Sequence, residues 1–173
     1  MNVVSISEPT VLFDPPEVEF TWSDEDSTDL HKDEKMSVIV TDTGFAADDW
    51  TTGFVPMAER AANDCSAVAL DVASDAEPQD LAACIDKIAM IRVDFPSFAD
   101  GRGFTIAAQL RRMGFVGRLR ARGHLIADQY AMARRAGFDE VEISQDLATR
   151  QPEDQWLARA NWKANDYQAR MRG

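Results

Sequence analysis

The sequence predicts an α/β protein: a parallel sheet of about four strands in βα units, an open sheet or a partial barrel, with an N-terminal β-hairpin and a C-terminal helix. Three observations predict it. Short apolar, β-branched runs begin near residues 67, 89, 118 and 140. Between them lie segments whose apolar residues recur at helical period. The regular spacing calls for right-handed crossovers between parallel strands rather than for hairpins.

Residues 1–35 hold ten acids against two lysines, together with Pro9, Pro15 and Pro16, and show no apolar period. Such a segment buries too little surface to offset its chain entropy. It reads as an acidic disordered extension, followed by a single α/β domain over 36–173. Phe13, Phe20 and Trp22 among the acids offer a docking motif as the other reading, and a misassigned start codon is a plainer one.

Ser37–Thr41 alternates around β-branched residues and reads as a strand; Asp42-Thr43-Gly44 is a turn, and Phe45 with Asp49-Trp50 a returning arm. Pro56 suits the first turn of a short helix over 57–62. Residues 67–72 (Ala-Val-Ala-Leu-Asp-Val) form a near-continuous apolar run, the mark of a strand covered on both faces. Glu77-Pro78 opens a helix with Leu81, Ala82, Ile85 and Ile88 on one stripe. Residues 89–95 are the second parallel strand. Residues 103–113 are a helix with Ile106, Ala107, Leu110 and Met113 inward, punctuated by Gly114 and Gly117. Residues 118–121 are a third strand, 125–135 a third helix ended by Gly137, and 140–143 a fourth strand. A last helix spans 153–171. Its stripe of Trp156, Leu157, Ala160, Ala164, Tyr167 and Met171 packs on the sheet or forms a homodimer or partner face.

The net charge of -12 argues against nonspecific binding to nucleic acid or to an anionic membrane. No apolar run approaches the ~20 residues of a membrane span, and the first residues lack the pattern of a secretion signal. A soluble, cytoplasmic protein is expected. Cys84 reads as inert core and Cys65 as lacking a partner. No Cys-x-x-Cys is present, so neither disulfide redox chemistry nor a metal centre is expected.

The densest candidate for chemistry is the loop from Asp94 to Thr105, between a strand end and a helix start. Ligands of parallel sheets bind at the carboxyl ends of strands. Gly101 and Gly103 let backbone amides approach an anion at a helix N-terminus, and Arg102 adds a guanidinium clamp. The plain alternative is a tight turn with Arg102 paired to Asp94 or Asp100. Residues 102–135 carry eight arginines, no lysine and one acid, Asp128. Arg118 and Arg120 alternate with Leu119 and so share one face of their strand, while Arg122 projects toward the rim. The expected anion site is Gly101, Arg102, Gly103, Arg120 and Arg122; the alternative is a basic surface balancing the acidic extension. Aromatic residues suited to base stacking are sparse in this block, against nucleic acid. Asp94, Asp100 and His124 are the catalytic candidates, with Asp128 one helical turn from His124 as its support.

The string from Asp94 to Phe104 resembles a bacterial domain-of-unknown-function family, number 934. So do the string from Leu110 to Ala121, Asp128-Gln129 and Arg135-Ala-Gly-Phe-Asp139. The opening Val38-Ile-Val-Thr41 and Asp48-Asp49-Trp50 fit the same family, so the resemblance covers about 36–145. The acidic extension lies outside its pattern, and His124 stands where many members carry an aspartate. Members are usually encoded beside sulfite reductase. The resemblance therefore implies an accessory role in assimilatory sulfate and sulfite reduction, docking on sulfite reductase or its electron donor, with a small oxyanion as a further ligand. The alternative is an enzyme acting on a small anionic sulfur or nucleotide substrate through Asp94, Asp100 or His124. The chain carries no siroheme or iron–sulfur ligand set and no flavin fingerprint, so no cofactor is expected.

Overall fold

The computed structural model describes residues 37–60, 65–164 and 171; the acidic extension expected over 1–35 lies outside them. Seven strands form one sheet: β1 (Ser37–Thr41), β2 (Gly44–Ala46), β3 (Val55–Pro56), β4 (Ala69–Val72), β5 (Met90–Phe95), β6 (Arg118–Gly123) and β7 (Glu140–Ser144), in the order β2-β1-β7-β6-β5-β4-β3. The four strands read from the sequence are β4 to β7, and they are parallel. The α/β class is therefore as expected, but the sheet is larger. The hairpin is part of it, because β1 pairs antiparallel with β7. The two-residue β3 adds a parallel edge beside β4. Among the described residues the two edge strands do not pair, so the sheet is open.

Among the described residues it is accompanied by the helices α1 (Arg102–Arg112), α2 (Tyr130–Ala136), α3 (Gln145–Arg150) and α4 (Glu153–Leu157). The strands β4 to β7 are added in one direction, each reached by a crossover of the same hand, so the crossovers gather on one face. That face carries Leu70, Val72, Ile91, Val93, Phe95, Leu119, Ala121, Val141 and Ile143. They pack with Ile106, Leu110, Tyr130 and Ala133 in a single apolar core.

Three expected helices differ. In place of the short helix over 57–62, a 3-10 turn, Met57–Glu59, follows Pro56, and residues 61 and 62 lie outside the described residues. Residues 77–88 form two 3-10 turns, Pro78–Leu81 and Ile85–Lys87. The tighter winding turns Leu81, Cys84, Ile85 and Ile88 inward and leaves Ala82 outside. The C-terminal helix expected over 153–171 starts as expected after Pro152, but α4 ends at Leu157; before it stands α3, which was not expected, capped by Ser144 accepting from the Leu147 N–H. The Trp156 indole is buried, donates to the Gln151 carbonyl and meets the Tyr130 ring edge-on. Of the stripe offered as a homodimer face, Tyr167 lies outside the described residues; Trp156 is buried, while Leu157 and Met171 are exposed. No helix among the described residues is long and apolar enough to cross a membrane. Cys65 and Cys84 were expected to be separate, yet they form a disulfide. The fold brings the approach to β4 beside the 3-10 segment that follows it, a proximity that sequence spacing does not reveal.

The second face of the sheet holds charge. Asp71 on β4, Arg92 and Asp94 on β5, Arg118, Arg120 and Arg122 on β6, and Glu140 and Glu142 on β7 all point to it, as the strand registers require. Arg120 is wholly buried at its centre. Its Nε meets Glu140 at 2.5 Å, its Nη1 meets Glu142 at 3.0 Å, and its Nη2 meets Asp48 at 2.7 Å. Asp48 comes from the arm after β2, which also brings Phe54 under the Arg92 guanidinium, 3.9 Å from ring centre to Cζ. Burial alone would disfavour the charged Arg120, but the hydrogen bonds it donates to Asp48, Glu140 and Glu142 hold its pKa above the ordinary arginine value.

Removing that guanidinium leaves three carboxylates facing one another without it. Arg120→Ala is expected to cost about 3–5 kcal/mol in urea unfolding, the usual penalty for breaking a buried ion pair. Arg112→Ala, at an exposed helix position, is the control and should change stability by less than about 0.5 kcal/mol.

Candidate functional site

A cavity of about 220 Å³ opens at the carboxyl ends of β4, β5 and β6, on the charged face. One wall is Pro56, Met57 and Ala58, at the end of β3 and in the turn after it; the floor is Asp71, Val72, Arg92, Asp94 and Arg122. The strands place these groups side by side, because Asp94 sits opposite Arg122 and Asp71 opposite Arg92 in the register. Gly123 makes the approach possible. It has φ +113°, and a Cβ there would come within 2.5 Å of the Phe95 carbonyl oxygen.

The charges in this rim pocket are unequally satisfied. Asp71 is held by a bidentate pair with Arg92, at 2.6 and 2.7 Å. Arg122 is held loosely: 3.8 Å from Asp71 and 3.7 Å from Asp94, with no hydrogen bond among the described residues. A guanidinium with its N–H groups uncommitted, at the mouth of a cavity, can bind an oxyanion. Asp94 is half-buried. Burial pushes its carboxyl up from the ordinary aspartate value; Arg122 opposes this and Asp71 adds to it. His124 is exposed beside it, with its backbone N–H donated to the Phe95 carbonyl. This corner therefore sets a loosely held cation beside a carboxyl at the mouth of a cavity.

The structure does not gather the five expected anion-binding residues in one place. Arg120 is internal and lines neither depression. Arg102 lines a separate cleft of about 310 Å³ with Ser74, Asp75 and Glu77. Its guanidinium bonds to Asp100 at 2.7 Å and to the Ser74 hydroxyl at 2.9 Å, which is the paired turn weighed as its alternative. Asp100 also accepts from the Arg102 backbone N–H, so a carboxylate already sits at the start of α1 where an anion would dock. The Arg102 hydrogen bonds keep Asp100 well below the usual carboxylate range, and it has no proton to give near neutrality. Gly103 is small because the Phe95 ring packs on it; Gly101 has open space around it.

Much of the rest of the arginine block is structural. Arg111 donates to the carbonyls of Gly137, Phe115 and Gly117 and pairs with Asp139. Arg134 pairs with Asp42, which also accepts from the Tyr130 hydroxyl. Asp128 pairs with Arg159 at 2.5 Å rather than supporting His124. Gln129 ties down the loop after β5, donating to the Phe98 carbonyl at 2.7 Å. The sequence reading missed Asp71, Arg92 and the Pro56–Met57–Ala58 wall. A signal for the first two existed: single charges standing at alternate positions within otherwise apolar strands.

Because the folded chain holds the Asp94 proton more tightly than the unfolded chain, stability falls as pH rises from the ordinary aspartate value through the raised one. Asp94→Asn is therefore expected to raise Tm at pH 7. The gain should vanish in acid, where both states carry the proton. Thermal unfolding over a pH series checks this; a variant less stable at pH 7 would show that the Arg122 contact outweighs the burial.

Among the described residues no group of three metal-ligating side chains comes together. Searches of curated proteins and of solved structures each return no match. A family model described as "Bacterial protein of unknown function (DUF934)" matches residues 68–173, more than half of the chain and including Asp71, Asp94 and Arg122. The chain belongs to that bacterial family.

Proposed function

We propose that this protein is an accessory component of assimilatory sulfite reduction that binds a small oxyanion in the rim pocket and docks on sulfite reductase or on its electron donor. The observation that carries the binding half is Arg122: its nearest carboxylate contact is 3.7 Å away, while Arg120 and Arg92 are closely paired. A dianion such as sulfite would complete the guanidinium's hydrogen bonds and separate it from Asp71 and Asp94. The pathway half comes from the resemblance of the loop and arginine motifs. Docking is supported by Phe98, 61% exposed on the loop that Gln129 anchors beside the same strand ends. The net charge of -12 favours a partner with a basic face. An acidic carrier would need the arginine block, and Arg111, Arg118, Arg120 and Arg134 are engaged internally.

The second reading, an enzyme acting on a small sulfur or nucleotide anion, is favoured by the raised pKa of Asp94. A half-buried carboxyl whose pKa burial raises, beside a cationic anchor, is suited to acid–base work. Asp94 with His124 would then carry the proton; Asp100 is locked by Arg102.

Calorimetric titration with sulfite and sulfate tests the binding. Arg122→Ala is expected to weaken it roughly 10- to 100-fold, as losing charge-assisted hydrogen bonds does, while Arg102→Ala leaves it unchanged. Absence of saturable binding by the wild type would overturn the oxyanion role. Asp94→Asn separates the two readings: an accessory protein binds sulfite at least as well, whereas an enzyme keeps binding and loses turnover. Deleting the gene should slow growth on sulfate and spare growth on cysteine; equal growth on both removes the pathway.

A further inference from the structure

The functional reading leaves two sulfurs unused. Cys65 precedes β4 and Cys84 precedes the second 3-10 turn; they are 19 residues apart in sequence, their Cα atoms lie 5.2 Å apart, and they are disulfide-bonded. The two sulfurs have different surroundings. Cys84 is 1% exposed, in the apolar core with Leu81, Ile85 and Ile88. Cys65 is partly exposed. Arg60 reaches the buried one: its Nη1 donates to Cys84 Sγ at 3.4 Å, and its Nη2 to the Asp80 carbonyl at 3.0 Å.

An attacking thiolate must reach one sulfur and expel the other as a thiolate, and it does so faster when the leaving thiolate is stabilised. Access selects Cys65 as the sulfur attacked. A guanidinium beside a sulfur stabilises its thiolate, which selects Cys84 as the leaving group. We propose that Cys65 and Cys84 form a redox-active pair that exchanges with a dithiol reductant, with Cys65 Sγ the electrophile and Cys84 Sγ the leaving thiolate beside Arg60.

In the first step the reductant's thiolate bonds to Cys65 Sγ, the Cys65–Cys84 bond breaks, and its electron pair passes to Cys84 Sγ. In the second, the reductant's other thiol, deprotonated, attacks its own sulfur in the mixed disulfide and releases the Cys65 thiolate. The reductant leaves as a disulfide, having given up two electrons and two protons; the chain ends with two thiols. The exchange needs nothing from the rim pocket.

The full-length protein is equilibrated, without denaturant, in mixtures of reduced and oxidised dithiothreitol. Samples are quenched in acid, and alkylated thiols are counted by intact mass. The expected result is a reversible passage between no free thiol and two. A disulfide that opens only after denaturation would make the pair a structural staple and overturn the proposal; so would two thiols that persist in excess oxidant. The direction of attack has its own readout. Cys65 in the Cys84→Ser variant should react with glutathione disulfide about tenfold or more faster than Cys84 in Cys65→Ser. Arg60→Gln should slow reduction of the wild-type bond several-fold. Equal rates in either comparison overturn the assignment of the two sulfurs.

Discussion

The fold depends on the ion pairs that Arg120 makes on the face of the sheet that the crossovers leave bare. Winding β4 to β7 in one direction sends the connecting segments to a single side. The other side of a parallel sheet still has to be shielded. This chain does so with a lattice of arginines and carboxylates, four of each across β4 to β7, and with an arm after β2 that contributes Asp48 and Phe54. Charges in such a place are tolerated because their hydrogen bonds are made. Arg120 meets three carboxylates, and Arg92 meets Asp71 and Glu142 while lying over an aromatic ring.

The same lattice explains why the rim pocket has the character it has. At mid-strand each arginine has carboxylates within hydrogen-bonding distance. One register step further toward the strand ends, the ladder runs out of close partners, and Arg122 and Asp94 face each other across a gap. A lattice that is satisfied inside and incomplete at its edge leaves one loosely held cation and carboxyl, Arg122 and Asp94, facing a cavity whose other charges, Arg92 and Asp71, are closely paired. The sequence places Arg120 and Arg122 in one expected anion site; in the structure Arg120 is interior and Arg122 stands at the mouth of the cavity.

Strands β4 to β7 and helices α1 and α2 were legible because each follows from short-range pattern: an apolar run, a helical stripe, a glycine at the end. Gly137, for instance, closes α2 in the left-handed conformation that its position predicted. What was not legible depends on contacts distant in sequence. Val55–Pro56 becomes a strand only because β4 lies beside it. Cys65 meets Cys84 only once the 3-10 turns have folded back. Arg118 and Arg120 were placed on one face correctly, since period two suffices for that. Their partners Glu140 and Glu142 stand on the next strand, and no single segment shows that opposite charges will be neighbours. For Arg102 the nearer signal was present, since Asp100 two residues away is the partner it takes.

The division of labour between the buried and the rim arginines is the central claim, and guanidinium NMR reads it residue by residue. Titrating sulfite into uniformly labelled protein should move the Arg122 Nε–H resonance saturably and leave that of the internal Arg120 in place. A saturable shift at Arg102 with Arg122 unmoved would contradict the account.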